Sequence, residues 1–334
     1  MRAHYVRALD VRTHHNSRHQ KSRPYNMINR TLIRQKVVQL VYAYYQNGNN
    51  NIEQAEKELY YSLSKAYELY HYMLTLIIEI TRYAERQLEH KNEINKAAHI
   101  DREESRRFVD NQFAQQLAHN KALTEYIDKK KLTWHTEMAY IKYLYDTIVK
   151  DESYIEYMQA EETSYAADRE LWRKIYKSII SKDERLDEVI EDKSLYWNDD
   201  RTIVDTFILK TIKRFDPVNG EEQELQPEYH DEDDRQFASR LFRRSIMNAD
   251  TYHSLISHNT RNWDFSRLAF MDVVIMQVAT AEICSFAEIP TSVTINEYVE
   301  IAKWYSTPKS RQYVNGILDA IVRSLKSENK IMKD

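Results

Sequence analysis

Histidines crowd the start of the chain at His4, His14, His15 and His19, and Glu68 stands three residues before His71. The irregular spacing of the first group fixes no coordination geometry. The second matches half of a carboxylate di-iron site, which needs another Glu-x-x-His and two more glutamates on facing helices. No second copy occurs. The single cysteine, Cys284, excludes an intrachain disulfide and a cysteine-rich zinc site. It sits in an apolar stretch with no local catalytic partner and reads as a buried thiol. Glycines stand only at 48, 220 and 316, so no phosphate-cradling loop or dinucleotide fingerprint can be built. These residues predict neither catalysis, metal nor cofactor. The chemistry that remains is cationic. Residues 1–36 hold nine Arg or Lys against Asp10, a net +8 beside −12 for the rest of the chain. A second candidate is Trp304 to Arg311, which brings aromatics, hydroxyls, Lys309 and Arg311 to a helix start where backbone N–H groups favour phosphate. Both point to an anionic partner met at one end.

Helices must position these groups. Three glycines and five prolines in 334 residues are too few for the turns of a sheet protein, and the hydrophobic fraction of 42% supports a core. An all-α fold is predicted. Ile33, Val37, Leu40, Val41 and Tyr44 share the inner face of a first helix. A long helix is expected over about 52–91, a charged helical stretch over 101–129 and a tyrosine-rich amphipathic helix over 134–150. The longest apolar run, Leu268 to Phe286, is broken by Asp272, Gln277 and Glu282, so it does not read as a membrane span. No secretory signal opens the chain, and a cytoplasmic protein is expected.

An ungapped repeat at an offset of 66 follows. Asp168-Arg169 matches Asp234-Arg235, and Leu171, Ile175, Tyr176 and Ile180 match Phe237, Leu241, Phe242 and Ile246. Ile190, Trp197 and Arg201 match Ile256, Trp263 and Arg267. Two helix–helix–Trp–helix units are expected. Between them, residues 216–234 carry nine acids and no Lys or Arg, and read as a flexible surface loop. Beyond it, a helix is expected over 264–286. Thr294 with Glu297 suggests a capping box, and Thr307-Pro308 an N-cap with proline at the first helical position. Gly316, inside the last helix, suggests close packing against a neighbour.

The run Ile289-Pro290-Thr291-Ser292-Val293-Thr294-Ile295-Asn296-Glu297-Tyr298-Val299-Glu300-Ile301-Ala302-Lys303, followed by Tyr313-Val314-Asn315-Gly316-Ile317-Leu318-Asp319, resembles the signature of the NusB transcription antitermination family. Arg30-x-x-x-Arg34 with Gln39 and Tyr42 resembles that family's first helix, which presents arginines to RNA. The resemblance covers about 27–50 and 232–327. It divides the chain into a basic flexible arm or start-site overrun (1–26, with Met27 as an alternative start), a first helix (27–50), an inserted helical region (51–231) ending in the acidic loop, a C-terminal subdomain (232–327) and a tail (328–334).

The resemblance implies a non-enzymatic, all-helical protein of two small bundles, enlarged here by the insertion. It implies binding to the boxA element of ribosomal RNA leader transcripts. It also implies pairing with the ribosomal protein NusE and entry into an RNA polymerase antitermination complex. Arg30, Arg34, Gln39, Tyr42, Tyr305, Lys309, Ser310 and Arg311 become candidate RNA contacts, and Asp272 a candidate protein-partner contact. Thr31 and Leu32 stand where many members carry arginine, and Lys309 where some carry an acid. Two alternatives are a helical scaffold that binds only protein, and an RNA-targeting module like that of ribosomal RNA methyltransferases. The second would need a glycine-rich cofactor domain, for which the chain has no room.

Overall fold

A computed structural model describes residues 27–48, 51–101, 104–229, 231–260 and 268–333. The basic segment 1–26, Trp263 and Arg267 lie outside them. The described residues form α-helices with short 3-10 turns and no strand, as expected of an all-α fold.

The helix starts follow from local chemistry. Asn29, Asn51, Asn111 and Asn120 each turn a side-chain oxygen to the backbone N–H three residues on, closing the starts of α1 (Arg30–Gln46), α2 (Ile52–Ala97), α3 (Gln112–Ala118) and α4 (Lys121–Lys130). These caps break the single charged helix expected over 101–129 into α3 and α4, because each asparagine competes for backbone donors. Next come α5 (Met138–Ile148), α6 (Glu152–Gln159), α7 (Tyr165–Ser178), α8 (Arg185–Lys193) and α9 (Arg201–Arg214). The C-terminal part holds α10 (Glu232–Met247), α11 (Ala249–Asn259), α12 (Phe270–Ser285), α13 (Thr291–Tyr305) and α14 (Ser310–Ser327). No helix among the described residues is long and apolar enough to cross a membrane.

Two helices organise the packing. α2 lies against α1, α3, α5, α9 and α10, and α12 against α1, α10, α11, α13 and α14. Residues 272–283 of α12 are buried on every side, which explains why its apolar residues show little periodicity. The buried side chains join into one core running from Met27 to Leu325.

The 66-residue repeat appears as α7–α8 and α10–α11, each followed by a helix that packs back on the first, α9 and α12. Leu171, Ile175 and Tyr176 are buried in one unit as Phe237, Leu241 and Phe242 are in the other. Asp168 takes the backbone N–H of Gln112 in the first turn of α3 at 2.8 Å, and Asp234 meets Arg30 in the first turn of α1 at 3.4 Å.

Several local expectations are corrected. The acidic segment does not hang free. Gln223 and Gln226 are buried, Asn120 donates to the Gln223 carbonyl at 2.7 Å, and Met27 and Ile28 donate to the carbonyls of Pro227 and Glu228. Most of its acids face outward, with Glu228 and Asp234 half-buried, while its glutamines are bound inward. Thr294 caps nothing, since α13 begins at Thr291 behind Pro290 and Thr294 donates instead to Glu282 at 2.8 Å. Thr307-Pro308 forms a turn ahead of α14 rather than its first residues. A methyl group at Gly316 would meet nothing within 4 Å, so close packing does not account for that glycine. Cys284 is exposed, because it points off α12 away from the core.

Candidate nucleic-acid interface

α1 sets most of the first candidate group. Its inner stripe of Leu32, Ile33, Val37, Val38 and Val41 also carries Arg34, three residues from Val37 and so on the same face. Arg34 is 3% exposed. Its guanidinium donates twice to Glu282, Nε and Nη2 each at 2.8 Å. Glu282 also accepts from the hydroxyls of Thr294 at 2.8 Å and Tyr298 at 3.0 Å, so its oxygens are fully engaged. Arg34 therefore ties α1 to α12 and α13 and cannot face RNA in this arrangement. Arg30, one turn earlier, remains partly open, over the Phe237 ring at 4.9 Å.

The outer side of α1 meets the turn at Asp199 and Asp200. Gln39 donates from Nε2 to Asp199 Oδ2 and to the Tyr305 hydroxyl, both at 2.8 Å. Gln35 binds the Asp199 carbonyl at 3.4 Å and also the Tyr305 hydroxyl. Beneath them Lys36 pairs with Asp200 at 2.7 Å, both buried. Burial pushes the Asp200 carboxyl up to about 6 even though Lys36 pulls it down. Burial likewise pushes the Tyr305 phenol up. The turn before α9 thus sits directly on Gln39 and Tyr305. Tyr42 is half-buried, 5.4 Å from the Phe270 ring.

At the α13–α14 turn the candidates separate. Ser310 is fully buried, donating to Asp272 Oδ2 at 2.9 Å and accepting from the Thr307 N–H at 3.2 Å and the Tyr313 hydroxyl at 3.0 Å. Asp272 is buried too, and desolvation raises its carboxyl above the ordinary range. These two residues fix the turn to the start of α12. Neither is open to RNA or to a protein partner. Lys309 and Arg311 are exposed, with Arg311 3.8 Å from Glu300.

Sequence reading missed Lys303 and Asp199 here, and offered Trp304 only as one of the aromatics of the Trp304–Arg311 segment. Trp304 is 69% exposed, unusual for so large an apolar ring. Lys303 lies 5.6 Å from its centroid. Asp199, in the turn before α9, accepts from Gln35 and Gln39, the two glutamines that also donate to Tyr305. The signal for Trp304 was in the sequence, next to Tyr305 at a helix end; the reach of Asp199 was not.

The exposed strip at this turn is Lys303, Trp304, Lys309 and Arg311, with the half-buried Gln39 and Tyr305 beside it and Arg30 partly open at the other end of α1. Such a surface, on an all-helical body locked by Arg34–Glu282, defines a helical scaffold with exposed cations and an open aromatic ring at the turn between α13 and α14. Among the described residues no group of acids, histidines and cysteine could hold a metal ion. Residues 203–323 match the family model described as the NusB family, from α9 through most of α14. "Transcription antitermination protein NusB" of Salinibacter ruber is 34% identical over 132 residues, 38% of this chain and 82% of that protein. The protein of the same name from Chloroherpeton thalassium is 37% identical over 99 residues, 30% of this chain and 47% of that one. The one from Dictyoglomus thermophilum is 41% identical over 88 residues, 26% of this chain and 61% of that one. A solved structure of T. maritima NusB aligns at 28% identity over 47% of this chain and 95% of that chain, with a TM-score of 0.28. The chain belongs to the NusB family, as an enlarged member.

Proposed function

We propose that this chain is a non-enzymatic, RNA-binding transcription antitermination factor. It engages boxA-type single-stranded RNA of ribosomal RNA leaders together with NusE, in a cytoplasmic RNA polymerase complex. The relatives' shared name supports the general role. The observation that carries the RNA contact is the exposure of Lys303, Trp304, Lys309 and Arg311 around one turn. Cations there meet phosphates while an open aromatic ring stacks on a base. Arg30 and Tyr42 extend the strip along α1, and Gln39 and Tyr305 join it where the insertion leaves them edges. Arg34, Ser310 and Asp272 serve by fixing the helices that carry it.

The test is anisotropy of a labelled boxA RNA over a salt series, with and without NusE. Wild-type affinity should fall steeply with salt, since phosphate contacts release counterions. Lys309→Glu and Arg311→Glu should each weaken binding and flatten that slope by about one. RNA binding unmoved by either substitution, or absent at low salt even with NusE, refutes the proposal. Capture of NusE without any RNA binding would favour the protein scaffold.

A further inference from the structure

A cavity of about 430 Å³ lies at the seam between the inserted region, α1 and α13. That is within the size range of small-ligand sites, roughly 300–1,000 Å³. Asn198 and Asp199 of the insertion form one wall, Asn296, Glu297 and Glu300 of α13 the other, and Trp304 stands at its side. No lysine or arginine lines it. Its three carboxylates, Asp199, Glu297 and Glu300, therefore repel phosphate and offer acceptors, beside amides and hydroxyls that can also donate. The cations stand just outside. Lys303 and Arg311 both reach Glu300, at 3.5 and 3.8 Å, pairings long and exposed enough to be exchanged for another anion.

We infer that this seam is a base pocket for a guanosine nucleotide of single-stranded RNA. The inference rests on the RNA-binding reading above and adds which base is taken and where. Guanine is the base whose Watson–Crick edge presents two adjacent N–H donors, N1–H and N2–H, and one carboxylate can accept both. Glu300 supplies the exposed carboxylate and Glu297, whose Oε2 lies 3.5 Å from Arg34 Nη1, a second one; the asparagine amides supply a donor for O6, and Trp304 supplies a stacking face. The flanking phosphates fall to Lys303 and Arg311. An arginine side chain from a partner protein would also suit acids beside a tryptophan, but the rim cations would oppose a basic peptide. Because the insertion builds half the pocket, this preference belongs to the enlarged chain.

The test uses the full chain and four labelled nonamer RNAs, oligouridine carrying at its centre guanosine, inosine, adenosine or uridine. Guanosine should bind about tenfold tighter than adenosine, with inosine between them because it lacks the N2 donor. Trp304→Ala should weaken the guanosine oligomer by about tenfold or more. Glu300→Gln, at an exposed side chain, should erase most of the guanosine preference. Glu297→Gln should do the same, provided thermal unfolding shows its fold intact. Equal binding of all four RNAs, or a preference untouched by both Trp304→Ala and Glu300→Gln, overturns the pocket and leaves the RNA-binding reading standing. Failure of every RNA to bind at low salt overturns both. Tight binding of an arginine-containing peptide, lost in Glu300→Gln, with no discrimination among the RNAs, assigns the pocket to a protein and overturns the inference.

Discussion

Replacing Arg34 with alanine separates a structural role from an RNA contact. In the folded chain its guanidinium makes two 2.8 Å hydrogen bonds to Glu282, whose side chain is fully buried. Removing one member of such a pair leaves the other buried without its counter-charge, which costs about 3–5 kcal/mol. Thr294 and Tyr298 still donate to Glu282, placing the expected loss toward the lower end. At roughly 2.1 cal/mol/K of unfolding entropy per residue, a loss of about 3–5 kcal/mol lowers the midpoint of this 334-residue chain by about 4–7 °C. Thermal and urea unfolding by circular dichroism read this directly. The double substitution Arg34→Met, Glu282→Leu should recover much of the loss, because an apolar pair of similar volume has no charge to desolvate. RNA affinity of the single variant, measured well below its midpoint, should stay within about threefold of wild type, under 1 kcal/mol. A stability change below about 1 kcal/mol together with a large loss of RNA affinity would refute the reasoning and return Arg34 to the RNA face.

Three further outcomes follow. His71 is packed 3.7 Å from the Tyr126 ring with Nδ1 2.9 Å from the Tyr67 carbonyl, and burial holds its titration down at about 4 against an ordinary 6.5. Its folded value is depressed, so its contribution is present above pH 6.5 and is lost as pH falls towards 4. At about 1.4 kcal/mol per unit this reaches roughly 3 kcal/mol, and urea unfolding of His71→Phe at pH 7 and 4.5 should show a correspondingly flatter pH dependence. Asp199→Ala should free Gln39 and Tyr305 and remove an acid from the RNA strip, raising affinity for boxA RNA about two- to fivefold at low salt by anisotropy; a loss of affinity would mean that Asp199 organises the strip. Ile175→Ala and Leu241→Ala occupy equivalent, fully buried places in the two repeat units. Each should cost about 2–5 kcal/mol in urea unfolding, with closely similar values if the units pack alike.

The fold was legible where one residue type dictates one local geometry. The buried α12 could be read from its apolar run, whereas the asparagine caps at Asn111 and Asn120, which break the stretch expected to be helical over 101–129, went unread. The repeat was legible because equivalent burial keeps apolar residues in phase over long distances. The site was legible only in part. Arg30 and Arg34 differ by one helical turn, yet one lies at the rim and the other inside, and the deciding partner, Glu282, stands 248 residues away. Its position within an apolar run hinted at a buried charge needing a cation. Ser310 and Asp272 misled for the same reason: hydroxyls and carboxylates at a helix start serve a ligand or a turn equally well, and only burial distinguishes the two. Lys309 and Arg311 were readable because they follow a proline turn that keeps them at the surface.

The region ahead of the family match at 203–323 is packed into the common core rather than attached beside it. Trp197 is buried and donates to the Lys65 carbonyl at 2.9 Å, fixing the turn before α9 to α2. Two residues on, Asp199 holds Gln39, which in turn donates to the Tyr305 hydroxyl, and Asp200 holds Lys36. One short turn therefore links α2, α1 and the end of α13, the elements that carry the proposed RNA strip. A perturbation ahead of the family match that loosened this turn would alter the seam without touching any exposed cation. The chain thus shapes its proposed RNA face partly from ahead of the family match, through Asp199 at the surface and the Lys36–Asp200 pair beneath it.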